Sequence, residues 1–303
     1  MLQVKELSFS YNVKPVLNDI NFAISKGEHV SIIGESGSGK STLLKLLYGE
    51  FDLDDGSIFW KESQILGPKF NLVIGYDFIK YVAQEFDLMP FISVEENIGQ
   101  FLSNFYPEKK QLRISELLEI VELTDFAKTK VSSLSGGQKQ RVALARALAK
   151  EPELILFDEP FSHIDSFKKH SLRRRLFKYL KEKEITCILA THDNEDVLGY
   201  SDRILVLQDS KIIASGTPIE LYFNPVKPLI AAFFGEFSIL DNKIIYANQL
   251  KIVKKSKLKV SVIQSYFKGD FYLIEARYKG KPIYFNHNTI IENESEVFLQ
   301  ITK

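Results

Sequence analysis

Gly34-Glu35-Ser36-Gly37-Ser38-Gly39-Lys40-Ser41-Thr42 joins a short apolar strand at residues 28–33 to a helix at 40–48. It fits G-x-x-x-x-G-K-[ST] in the strand–loop–helix setting that this pattern requires. The glycines let backbone N–H groups turn inward around phosphates, and the helix adds the positive end of its dipole. Lys40 is placed to reach the β- and γ-phosphates, and the Ser41 hydroxyl to ligate Mg²⁺. Leu43, Leu44, Leu46 and Leu47 give the helix a packing face.

A phosphate loop alone leaves many functions open. Two further runs narrow them. Leu154-Ile155-Leu156-Phe157-Asp158-Glu159-Pro160 is an apolar strand ending in two carboxylates. Asp158 suits Mg²⁺, directly or through water, and Glu159 suits the general base that polarises an attacking water. Leu134-Ser135-Gly136-Gly137-Gln138 is a second glycine-rich helix start. Its Ser135 hydroxyl and glycine amides are built to touch a phosphate, although the same residues would also make a plain N-capped helix.

The chain has 303 residues, 45% of them apolar, with 39 basic and 39 acidic side chains. Zero net charge does not favour a nucleic-acid binder. Cys187 is the only cysteine, so no internal disulfide forms, which suits a reducing cytosol. No apolar run approaches the ~20 residues that span a bilayer. The first residues lack a signal-peptide core.

Residues 93–150 read as helical, with Leu112, Leu117, Leu118 and Val121 as one apolar stripe and Val142, Ala145 and Leu148 as another. Strands at 154–157 and 185–190 flank a helix at 166–183, so a mostly parallel sheet covered by helices is expected. Arg173-Arg174-Arg175 reads as a solvated helix face. Near Gly235 the helical period ends. Short strands at 260–263, 271–277, 281–285 and 296–301 then suggest a small β domain, marginal alone. Its lysines 251, 254, 255, 257 and 259 lie near Tyr266, Phe267, Phe271 and Tyr272. Such a mixture suits single-stranded nucleic acid, but a solvated loop beside core aromatics is the expectation.

The three runs together resemble the ATP-binding cassette (ABC) family over residues 1–235. The resemblance implies an α/β P-loop cassette with a helical subdomain at about 86–150. A small all-β domain of TOBE or OB-like type at 236–303 would follow. In that family two subunits sandwich two ATP, so Ser135, Gly136, Gly137 and Gln138 would face the other subunit's nucleotide. The resemblance gives Tyr11 the place of the aromatic on adenine. Gln84 takes that of the glutamine sensing Mg²⁺, water and permease. His192, in Thr191-His192-Asp193, takes that of the histidine on the γ-phosphate, and Asp165 that of the aspartate in a subunit-contacting loop. One departure is His163-Ile164, where the family commonly has a small or amide residue followed by Leu.

Residues 84–98, with Phe86, Leu88, Met89, Pro90 and Phe91, resemble the importer segment that forms part of the groove for a permease helix. Gly216-Thr217-Pro218, Glu220-Leu221-Tyr222 and Asn224-Pro225 resemble the cassette end of importers for polyamines, ferric iron, sulfate and sugars. The resemblance therefore implies an ATP hydrolase using ATP and Mg²⁺ on the cytoplasmic face of the inner membrane. Its partners would be a second cassette in a homodimer, an integral membrane permease and, indirectly, a solute-binding protein. An exporter ATPase and a soluble non-transport cassette remain the alternatives.

Overall fold

The computed structural model describes residues 1–302. They form two compact units, over residues 1–218 and 219–302. The first unit runs through β1 (Leu2–Ser10), β2 (Pro15–Ile24), β3 (His29–Ile33), α1 (Lys40–Tyr48), β4 (Asp55–Trp60), β5 (Ser63–Gln64) and β6 (Ile79–Val82). The helices α2 (Val94–Gly99), α3 (Pro107–Ile120) and α4 (Gly136–Leu148) follow. The unit then alternates β7 (Leu154–Asp158), α5 (Ser166–Glu182), β8 (Thr186–Ala190), α6 (Asn194–Tyr200), β9 (Arg203–Gln208) and β10 (Lys211–Gly216).

The central sheet has the order β10-β9-β3-β8-β7-β6 and is parallel except for the antiparallel β9–β10 pair. A second, antiparallel sheet has the order β2-β1-β4-β5. Strands β3, β7 and β8 are buried along their whole length, as a sheet covered on both faces requires. Their side chains alternate between two cores. Leu154, Leu156, Ile188 and Ala190 pack with α1 and the antiparallel sheet. Ile155, Phe157, Cys187 and Leu189 pack with α4, α5 and the helical segment.

The α3 stripe differs by one residue from the sequence reading. Leu117, Leu118 and Val121 are buried with Ile114, whereas Leu112 is 71% exposed. Positions 114, 117, 118 and 121 keep the helical spacing, and Leu112 lies roughly 200° around the helix from Ile114.

The second unit begins one residue into α7 (Pro218–Phe223) and continues through α8 (Pro228–Phe234), so the two short helices before Gly235 group with the β strands. Then come β11 (Phe237–Leu240), β12 (Lys243–Tyr246), β13 (Leu250–Val253), β14 (Leu258–Phe267), β15 (Tyr272–Tyr278), β16 (Lys281–His287) and β17 (Glu296–Ile301). β11 and β12 form a hairpin through Asp241-Asn242, both at positive φ, the backbone that two-residue hairpins demand. The other five make an antiparallel sheet, β13-β17-β14-β15-β16, around Val260, Val262, Ile274, Ile283 and Phe285. The lysines at 251–259 are exposed, and Lys259 pairs with Glu296 at 2.6 Å.

Candidate functional site

Strands β3, β8 and β7 are parallel neighbours, so their C-terminal ends open at one edge of the sheet. Ligand sites of open α/β sheets form there. β3 feeds the phosphate loop, β7 ends in Asp158, and β8 leads into Thr191-His192. The Ser41 hydroxyl donates to Asp158 Oδ1 at 3.0 Å, and the Tyr81 hydroxyl donates to Oδ2 at 3.1 Å. Burial, reinforced by the Asp158 charge, pushes the Tyr81 phenol pKa upward and keeps it a donor. Lys40 Nζ donates to the carbonyls of Gly34 and Glu35, each at 2.9 Å. Burial lowers its pKa, against the pull of Glu159 and Asp158.

Gly34 must be glycine, because a Cβ would sit 2.2 Å from the Leu207 carbonyl oxygen. Glu35, Ser36, Gly37 and Ser38 line a cleft of about 610 Å³ with Tyr11 and Gln208. The Ser38 hydroxyl is buried without a hydrogen-bond partner among the described residues. Gly39 closes the loop as the residue before α1. Tyr11 is 54% exposed, with its ring edge on Phe9 and Phe51 and its hydroxyl 3.3 Å from Thr42 Oγ1.

Glu159 takes a φ of 52°, left-handed for a non-glycine residue. Such a conformation costs roughly 1–2 kcal/mol and persists where the surroundings over-determine it. Here its N–H donates to the Ala190 carbonyl at 2.9 Å. Its own carbonyl accepts from Gln140 Nε2 and Ser162 Oγ, each at 3.0 Å. Its carboxylate lies 2.8 Å from Nδ1 of His192, whose side chain is 76% exposed.

The loop carrying His192 is pinned by Arg173. The arginine run is not uniformly solvated: Arg174 and Arg175 are exposed, but Arg173 is buried on the inner face of α5. Its guanidinium pairs with Asp193, with Glu195 at 2.7 Å and with Asp196 at 2.5 Å. Burial pushes the Asp196 carboxyl up to about 7, with Arg173 opposing.

At the other glycine-rich start, Ser135 caps α4. Its hydroxyl accepts from Gln138 N at 3.3 Å, and Gln138 Oε1 accepts from Ser135 N at 2.9 Å. A Cβ on Gly136 would meet nothing within 4 Å, whereas one on Gly137 would lie 2.8 Å from the His163 carbonyl oxygen. Gly137 is thus demanded by packing inside the chain. Asp165 is exposed just before α5 and makes no side-chain cap. Gln84 is exposed.

Two residues escaped the sequence reading, Tyr81 and Gln140, and a third, Arg173, was read as solvated although it is buried and ion-paired. Gln140 is 1% exposed and bonds Glu159, while its Oε1 accepts from His163 N at 3.0 Å. A signal existed, since 140, 144 and 148 share one helical face and a polar residue there needs a buried partner.

The donor set fits Mg²⁺ on a nucleotide. Ser41 and Asp158 supply hard oxygens 3.0 Å apart. Among the described residues, no group of three His, Cys, Asp or Glu is placed to hold a metal alone. Mg²⁺ favours this arrangement, with few protein oxygens completed by phosphates and water.

The model of the ABC transporter family matches residues 17–162. A ferric-ion import ATP-binding protein, FbpC 2 of Haemophilus influenzae, is 38% identical over 250 residues, covering 82% of this chain and 70% of that protein. The chain belongs to the ABC transporter family. A sulfate/thiosulfate import ATP-binding protein, CysA of Bacillus cereus, is 37% identical over 252 residues, 80% of this chain and 69% of that one. The dimeric structure of MJ0796, a bacterial ABC transporter cassette, superposes with a TM-score of 0.64 at 30% identity, covering 72% of this chain and 99% of that one. This ABC protein is an ATP-binding cassette with the P-loop α/β fold. Among the described residues, no helix is long and apolar enough to cross a membrane.

Proposed function

We propose that this chain is the ATP-hydrolysing subunit of a membrane importer and that two cassettes, as a homodimer, complete its sites. The observation carrying the hydrolytic reading is the pairing of Ser41 with Asp158 beside that of Glu159 with His192, on neighbouring strand ends. Phosphates in the loop take Lys40 from the two carbonyls it now holds. Ser41, Asp158 and Gln84 are the residues to hold Mg²⁺, which when bound supplies charge neutralisation on the phosphate oxygens. Glu159 accepts the proton of the attacking water. His192 orients that carboxylate and reaches the γ-phosphate.

The open side of Gly136 supports a second copy whose ATP meets Ser135, Gly136, Gly137 and Gln138. Tyr11 is the adenine platform and Asp165 a subunit contact. A cleft of about 640 Å³, lined by Glu85, Phe86, Met89, Phe101 and Arg146, supports docking of a permease helix. Relatives named for ferric iron and sulfate import favour import. A solute-binding protein outside and a cytoplasmic face inside follow from that reading. The five-stranded antiparallel sheet supports an OB-like 236–303.

The test is phosphate release from Mg-ATP. Glu159→Gln should lower turnover about a thousandfold while nucleotide still binds. Ser135→Arg should abolish hydrolysis and leave nucleotide binding by the isolated monomer intact. Undiminished turnover in Glu159→Gln sinks the base assignment.

A further inference from the structure

The second unit holds a pocket of its own, about 230 Å³, between the β14–β15 turn, the end of β12 and β16. Two lining residues keep buried polar atoms with no hydrogen-bond partner among the described residues: the Tyr246 hydroxyl and Asn286 Oδ1. Folded chains rarely leave such atoms unpaired. Tyr246 is only 4% exposed, so bulk water does not answer for its hydroxyl. Glu236 and Lys268 line the same pocket, and neither is ion-paired among the described residues. The wall is aromatic, with Tyr222 stacked on Tyr246 at 4.8 Å and 11° and Phe271 alongside.

We infer that this pocket binds a free apolar α-amino acid. Its carboxylate meets Lys268 and the Tyr246 hydroxyl, its ammonium meets Glu236 and Asn286 Oδ1, and its side chain lies against Tyr222 and Phe271. A ligand with one charge leaves one of the two rim charges unanswered. The volume, below the ~300–1,000 Å³ of ordinary small-molecule sites, excludes a nucleotide. The hydrolytic site uses none of these residues.

Isothermal titration calorimetry on the full chain tests this with L-leucine and L-phenylalanine. The controls are 3-methylbutylamine and 4-methylpentanoate, which lack leucine's carboxylate and ammonium respectively. At least one amino acid should saturate with a Kd of about 1 mM or tighter. Both controls should bind about tenfold more weakly or not at all, as loss of a charge-assisted contact dictates. Lys268→Met and Glu236→Gln should each weaken the amino acid about tenfold. Tyr246→Phe, which keeps the ring stack and removes the unpaired hydroxyl, should weaken it several-fold without lowering the unliganded melting temperature. Three results overturn the inference: no heat from either amino acid at about 10 mM, a control that binds as tightly as leucine, or affinity unchanged in both charge variants.

Discussion

Gln140→Met asks whether the start of α4 and the carboxylate of Glu159 are held as one piece. Methionine keeps the length and apolar burial of glutamine and removes its hydrogen bonds. Three are lost: Nε2 to the Glu159 carbonyl and His163 N to Oε1, each at 3.0 Å, and a longer one from Nε2 to Ser162 Oγ at 3.4 Å. A neutral bond contributes about 1 kcal/mol net, and a buried group left unpaired costs about 1–3 kcal/mol. The Glu159 carbonyl keeps Ser162 Oγ at 3.0 Å, so its loss is partial. The expected destabilisation is therefore about 2–3 kcal/mol. The left-handed Glu159 stores roughly 1–2 kcal/mol of strain that the loop can then release. If release misplaces the carboxylate by that energy, kcat falls about tenfold or more. KM for ATP should stay within about twofold, because uniform binding by the loop is untouched. Urea unfolding and phosphate release against ATP concentration read the two effects separately. A variant that loses stability and keeps its kcat refutes Gln140 as the positioning residue.

Arg173→Met strips the counter-charge from Asp193, Glu195 and Asp196. Breaking such a buried pair should destabilise the chain by about 3–5 kcal/mol at neutral pH. The loss should shrink below pH 7 as Asp196, already raised to about 7, takes a proton; a pH-independent loss in chemical unfolding would contradict the charge argument. His29, buried at the start of β3, has its pKa lowered from 6.5 to about 4, by burial first and then by Lys181. Between those values the unfolded chain binds more protons than the folded one, so stability rises with pH across that window and is flat from this group above it. From about pH 7 to pH 5 this amounts to a loss of about 2 kcal/mol. His29→Leu should remove that share of the slope in urea titrations, and an unchanged slope would clear His29.

Residues that act along the chain were legible, and residues that act across it were not. The loop from Gly34 to Thr42 and the carboxylates after β7 carry their chemistry in local order, and the sheet edge collects them because β3, β8 and β7 are parallel neighbours. Tyr81 reaches Asp158 from β6, 77 positions away. Arg173 finds its carboxylates in the first turn of α6 and at the residue before it, so a run of three arginines looked uniformly solvated. Leu112 looked like core because three leucines and a valine share the window, and only tertiary contact selects Ile114 instead. The hairpin of β11 and β12 has four-residue strands, too short for alternation to register, although Asp241-Asn242 marked its turn.

Gly136 and Gly137 are neighbours with separable histories. A genetic screen for folding alone would tolerate a methyl group at 136, where the chain leaves space, and reject it at 137, where His163 stands in the way. A screen for activity would reject both if a second copy presses on 136. The difference between the two screens, position by position, would therefore draw the outline of the partner on a single subunit, without any need to isolate the pair.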